Sequence, residues 1–176
     1  MNSTQDERDE IGGVRRPTTV RRWRFGAVAA VLTLVAVGGT AWAGTDQRSA
    51  HRPLNPPDAP AAIGPYSQGI STGRMVFVSG QLPIDPATGR LLADEPVEEQ
   101  TRQVLRNVQA VLRADQLDLA HVVSTTVYLS DLDEFERFNA AYAEFFPGEA
   151  PPARATVQVA RVPKDAAVEI SAIAVR

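Results

Sequence analysis

The sequence predicts an α+β domain in which one sheet carries two helices on a single face. Three observations predict it. Two stretches, one from Val97 to Ala114 and one following Asp131, repeat their apolar residues at helical spacing. Runs rich in β-branched residues or in strict alternation precede, separate and follow those helices. Strands that flank two amphipathic helices bury their apolar faces by layering both helices on the same side of the sheet.

The elements follow in order. Met75 to Ser79 is a short apolar run after a Gly-Arg turn and reads as a strand. Pro83 to Gly89 is a loop, marked by the turn dipeptides Asp85-Pro86 and Thr88-Gly89. In the helix over 97–114, Val104, Leu105, Val108, Val111 and Leu112 make one buried face. Glu98, Arg102, Arg106 and Arg113 lie elsewhere on the wheel, as a solvated face. Val122 to Leu129 is rich in β-branched residues and reads as a strand. Asp131 with Glu134 has the spacing of a capping box that starts the second helix. Phe135, Phe138, Tyr142 and Phe145 form its apolar stripe, and Pro147-Gly148 ends it. In a strand over Arg154–Ala160, Arg154, Thr156 and Gln158 share one face. In a strand over Ala167–Val175, Val168, Ile170, Ala172 and Ala174 share one face, with Glu169, Ser171 and Ile173 on the other.

Upstream of this domain the chain changes character. Residues 1–24 are polar and end in a basic cluster of Arg15, Arg16, Arg21, Arg22 and Arg24. Residues 25–43 carry no charge. Such a run behind arginines is a signal peptide or a single transmembrane helix. Gly38, Gly39 and the small-x-small ending Ala41-Trp42-Ala43 favour cleavage after Ala43. A run of about nineteen residues also suffices to span a bilayer, with the arginines cytoplasmic. Either outcome places the domain outside the cytoplasm, periplasmic, extracellular or membrane-anchored, with membrane contact only through residues 25–43 if they are retained. Arg21-Arg22 invites a twin-arginine reading, from which Val20 and Arg24 depart. Residues 44–56 read as a linker whose prolines, Pro53 and Pro56, continue into Pro57 and Pro60; the domain then occupies 57–176.

Charge and composition narrow the function. Residues 1–57 carry eight Arg and five Asp or Glu, a balance of +3, whereas 58–176 carry ten basic and sixteen acidic residues, a balance of −6. An acidic domain does not draw in phosphate backbones, so no nucleic-acid partner is expected. The chain has no cysteine, which removes disulfides, thiolate nucleophiles and Cys-based metal sites. With His121 the only histidine of the domain, a His-based triad or a zinc site is not expected either.

Four segments in sequence, GPYSQG (Gly64–Gly69), FVSGQLPIDPATG (Phe77–Gly89), FNAAYAEFF (Phe138–Phe146) and PPARATVQVARVPKDAAVEISAIA (Pro151–Ala174), resemble the Rid family of RidA/YjgF-like reactive-intermediate deaminases. The resemblance covers nearly all of 57–176. It implies a chorismate-mutase-like α+β fold, a mixed six-stranded sheet with two helices on one face. It also implies a homotrimer whose sheets line a barrel and whose active sites lie in clefts between subunits. The implied activity is cofactor-free, metal-free hydrolysis of 2-imino and 2-enamino acids, such as 2-iminopropanoate and 2-aminoacrylate, to 2-keto acids and ammonia.

Matched to the family, Arg154 of the PAR motif is the expected carboxylate anchor and Glu169 of the VEI segment the expected water-positioning group. Hydrolysis of a 2-imino acid needs both roles, and a guanidinium fork can take both carboxylate oxygens. Tyr66, Ser79, Gly80 and Asn139 match substrate-contacting positions. Thr156 stands where archetypal members have cysteine; alternation places it on the face of Arg154, with a hydroxyl in place of the thiol. Two other functions fit parts of the pattern. One is a non-catalytic trimer that binds a small carboxylate such as a 2-keto acid. The other is an endoribonuclease or translation inhibitor, against which the acidic domain and single histidine count.

Overall fold

Chain order builds the sheet from short pieces outward. The computed structural model describes residues 51–176; segments 1–24, 25–43 and most of 44–56, with the export expectation that rests on them, lie outside the described residues. Strands β1 (Arg52–Leu54), β2 (Gly69–Ser71) and β3 (Met75–Gln81) form an antiparallel meander. Helix α1 (Val97–Arg113) and strand β4 (Val122–Leu129) follow, then helix α2 (Phe135–Ala143), strand β5 (Ala153–Gln158) and strand β6 (Val168–Val175). The six strands lie in the order β1-β2-β3-β6-β4-β5, and only β4 and β5 run parallel, joined through α2. The expected mixed sheet with two helices is therefore the architecture found. Among the described residues no helix is long and apolar enough to cross a membrane.

The predicted buried face of α1 is the observed one: Val104, Leu105, Val108, Val111 and Leu112 are all buried. They pack on the sheet face made by Val76 and Val78 of β3, Val127 and Leu129 of β4, and the alternating set Val168, Ile170, Ala172 and Ala174 of β6. Polar groups within this layer are paired. Asn107 donates to the Leu82 and Ile84 carbonyls, each at 2.9 Å, and Gln100 accepts from the Ala167 amide at 2.8 Å, so α1 fixes both the loop after β3 and the start of β6. The charges expected to be merely solvated also join the helices: Arg137 of α2 grips Glu98 with two hydrogen bonds, and Arg102 grips Glu144 likewise.

Two expectations need correction. Residues 52–54, assigned to the linker, are an edge strand: Leu54 pairs with Gly69 and is only 2% exposed. Pro53 is tolerated there because an edge strand has one side without a ladder to satisfy. The capping box at Asp131 and Glu134 does not form. Asp131 instead accepts from the Asp133 amide at 2.9 Å, a 3₁₀ turn occupies Leu132–Glu134, and Glu134 pairs with Arg137.

Candidate active site

Strand register decides which side chains meet. Thr125 of β4 lies opposite Arg154 of β5 and opposite Ala172 of β6, so these three form one row. The row faces the helices, because Thr125 is buried and its hydroxyl hydrogen-bonds the Tyr142 hydroxyl of α2 at 2.8 Å. At the sheet edge nothing covers β5, and Arg154 lays its guanidinium over the aromatic stripe of α2. Its Cζ lies 4.6 Å from the Tyr142 ring centre, 5.3 Å from that of Phe138 and 5.7 Å from that of Phe135. The ring faces attract the cation and hold it in place without neutralising it. Among the described residues Arg154 has no carboxylate partner. It opens instead on a cleft of about 460 Å³, walled by Asn139, Tyr142, Phe146, Pro151 and Pro152.

Thr156 lies opposite buried Val127, on the same face as Arg154, as alternation predicted. Its Oγ1 and the Oδ1 of Asn139 are both buried without a hydrogen-bond partner. Two buried oxygens without partners are unusual in a folded protein, where such atoms are normally paired.

Glu169 stands elsewhere. It pairs with Tyr128, which in turn lies opposite Val157, and this row points to the bare face of the sheet. The carboxylate sits against Gly80, in a hollow of about 260 Å³ that Tyr66, Ser79 and Pro163 also line. A Cβ on Gly80 would come 2.7 Å from Glu169 Cδ, so only glycine leaves room for the carboxylate there. Burial raises the Glu169 carboxyl above its ordinary value.

The local chain explains the hollow. Val78 pairs with Ala172 and Gln81 with Ile170, so Ser79 and Gly80 together oppose Ser171 in a β-bulge that bends β3 at this point. The Ser79 hydroxyl donates to the Ser67 carbonyl at 2.7 Å, and its amide to the Gln68 carbonyl at 3.0 Å. Ser79 thereby ties down the loop that carries Tyr66, a ring 46% exposed whose hydroxyl accepts from the Ile63 amide. Gln68 completes the tie: its side chain donates to the Ala59 and Pro60 carbonyls, and its amide to Asn55 Oδ1 at 3.0 Å.

The seven expected site residues thus fall into two groups. Arg154 and Thr156 of β5 lie with Asn139 of α2 on the helix side of the sheet, and Tyr66, Ser79, Gly80 and Glu169 lie on the bare face. Sequence reasoning missed Tyr142, treated as core, and the Phe146, Pro151 and Pro152 wall. The signal was present: Tyr142 is the one hydroxyl in a stripe otherwise made of Phe, and a buried tyrosine needs a polar partner. Among the described residues no three His, Asp or Glu side chains gather as a metal site would require.

Residues 56–176 match the family model described as Endoribonuclease L-PSP. The chain belongs to this family, the RidA/YjgF proteins that its motifs resemble. Within the Endoribonuclease L-PSP family, the chain is 50% identical over 121 residues to the 2-iminobutanoate/2-iminopropanoate deaminase of Salmonella typhimurium, covering 68% of this chain and 93% of the relative. It is also 50% identical over 117 residues to a RutC family protein of Pyrococcus horikoshii, covering 66% and 91%. Among solved structures, the YjgF gene product of Escherichia coli superposes with a TM-score of 0.67 at 47% identity, covering 71% of this chain and 98% of that one. Escherichia coli TdcF with bound serine superposes with a TM-score of 0.66 at 45% identity, again covering 71% and 98%.

Proposed function

We propose that the protein hydrolyses 2-imino acids and their enamine tautomers to 2-keto acids and ammonia, in clefts formed between copies of the chain in a homotrimer. The observation that carries this reading is Arg154: a guanidinium held over aromatic rings, without a carboxylate of its own, at the mouth of an open cleft. Such a group binds a substrate carboxylate with two parallel hydrogen bonds and fixes the plane of the adjoining C=N carbon. Glu169, with no cation beside it among the described residues and its carboxyl raised by burial, is suited to accept a proton from water. Water oxygen adds to C2 of the protonated imine while Glu169 takes its proton. Glu169 then returns that proton to nitrogen, the C–N bond breaks as the hydroxyl's remaining proton passes to the departing ammonia, and ammonium and the 2-keto acid remain.

One protomer cannot assemble this pair, because Arg154 and Glu169 face opposite sides of the sheet. A second copy set against the bare face supplies the missing half. That face is suited to burial, with Phe77 40% and Val157 45% exposed. Deaminase relatives at 50% identity support the reaction, and the serine bound to TdcF supports a small α-amino-acid-like ligand. Against a nuclease, the domain is acidic and His121 is committed to a local cap, its Nδ1 accepting from the Asp118 amide at 3.1 Å. The same proposal has residues 25–43 export the domain, where imino acids released by amino-acid oxidation outside the cytoplasm would be its substrates; cell fractionation checks this.

The test is release of ammonia and keto acid from freshly generated 2-iminopropanoate, compared with the buffer rate, with an Arg154→Ala variant alongside. Acceleration by the native protein and its loss in the variant is the expected result. A folded protein that accelerates none of several imino acids refutes the reading.

A further inference from the structure

In a single chain the Arg154 cleft offers more room than a three-carbon acid fills. Its volume of about 460 Å³ falls in the range, about 300–1,000 Å³, that accommodates drug-sized ligands. Beyond Arg154 and Asn139 its lining is Tyr142, Ala143, Phe146, Pro151 and Pro152, which offers a large side chain an apolar surface and a polar one almost no partners. Phe146, Pro151 and Pro152 also wall a second groove of about 390 Å³, closed on its far side by Leu119, Ala120 and Val122. No charged residue lines that groove. The shared wall runs into segment 147–152, in which Pro147, Pro151 and Pro152 each fix a backbone φ.

We propose that the two grooves form one side-chain subsite, and that the preferred substrates are 2-imino acids with a large apolar side chain, aromatic or branched, rather than the three-carbon acid. This rests on Arg154 as the carboxylate anchor. With the carboxylate on Arg154, the side chain lies along Phe146 and the Pro151–Pro152 wall and reaches toward Ala120. Ala120 and Phe146 are then specificity-determining residues.

The stable 2-keto acids test this without turnover. Full-length protein in detergent is titrated calorimetrically with pyruvate, 4-methyl-2-oxopentanoate and phenylpyruvate, and kcat/KM is measured for the matching imino acids. Phenylpyruvate is expected to bind at least about tenfold more tightly than pyruvate, the scale on which hydrophobic pockets discriminate. Ala120→Trp, at an exposed position, should plug the distal groove and shrink that ratio several-fold; Ala120→Leu should shrink it less. Equal affinities in the native protein, failure of any keto acid to bind, or a ratio that neither variant changes would overturn the proposal. If the keto acids show the preference but no imino acid turns over, the subsite stands and the deaminase reading fails. If imino acids turn over without preference, the deaminase stands and the subsite fails.

Discussion

Arg154 and Glu169 project from opposite faces of one sheet: Arg154 shares a row with Thr125 beneath α2, and Glu169 shares a row with Tyr128 on the bare side. The proposed carboxylate anchor and water-positioning group are thereby separated within one chain, and the proposed reaction needs each from a different copy.

Arg154 acts through geometry as well as charge, so lysine should not replace it. Arg154→Lys keeps the cation over Tyr142 but loses the fork, and Arg154→Ala loses both. Removing charge-assisted bonds to a carboxylate costs about 2–5 kcal/mol, so kcat/KM should fall by about 30- to 5,000-fold in Arg154→Ala. Steady-state kinetics would check this, with circular dichroism to show an intact fold. A lysine variant of native activity would show that a point charge is enough.

Glu169 should set the acid limb of the pH profile. The water-activating form is the carboxylate, so kcat/KM should fall as pH drops through a value above the ordinary glutamate figure of about 4.3. Glu169→Gln should lower kcat by about 10²–10⁴ and abolish that limb. Stability should move the other way. A carboxyl raised by burial favours the folded state while protonated, and that advantage disappears as pH rises through its folded value. Glu169→Gln should therefore melt higher than the native protein at neutral pH, with the gap closing in acid. A profile identical in both proteins would show that Glu169 does not titrate in the reaction.

Gly80 matters for space rather than flexibility. The atoms a Cβ would meet belong to the end of the Glu169 side chain, which can swing aside. Gly80→Ala should thus keep stability within about 1 kcal/mol of native while lowering kcat at least about tenfold through misplacement of the carboxylate. Thermal melts beside kinetics separate the two effects; full activity would mean that Glu169 need not sit against this backbone.

Asp115 closes the domain at its chain ends. It is 5% exposed, accepts from the Ser71 hydroxyl at 2.7 Å, and pairs with Arg176 at 2.7 Å and with Arg52 of β1. Burial pushes its carboxyl up, but the hydrogen bonds from Ser71 and Arg176 and the two arginine charges outweigh this and hold it below its ordinary value. Its contribution is present above about pH 4, the unfolded carboxylate range, and is lost as pH falls through the lower folded value. Asp115→Ala should lower unfolding stability by about 2 kcal/mol at neutral pH and release β1 to hydrogen exchange. Unchanged exchange at Leu54 would show that β1 is held by packing alone.

Long periodic elements could be read from the sequence. The apolar spacing of α1 left one possible buried face, and Val122–Leu129 was bounded to the residue. Strands β1 and β2 have three residues each, too few for a period of two to appear, and β1 was concealed by Pro53. At the site, Arg154 and Asn139 line one hollow and Tyr66, Ser79, Gly80 and Glu169 the other, and alternation put Thr156 on the face of Arg154. That Arg154 and Glu169 face apart was not legible, because the parity of one strand relative to another depends on register. Register comes from pairing through β4, which no local pattern encodes. Tyr142 was legible only as a core aromatic, since its hydroxyl acquires meaning from Thr125, seventeen positions away on another element.

The most direct test of a cleft shared between copies is complementation. Arg154→Ala and Glu169→Gln chains, each inactive alone, are co-expressed with different tags, and mixed oligomers carrying both tags are assayed on 2-iminopropanoate. If each site takes its arginine from one copy and its glutamate from the next, every mixed trimer rebuilds one of its three sites, and about a third of native activity should return. Mixed oligomers as inactive as their parents would contradict the account.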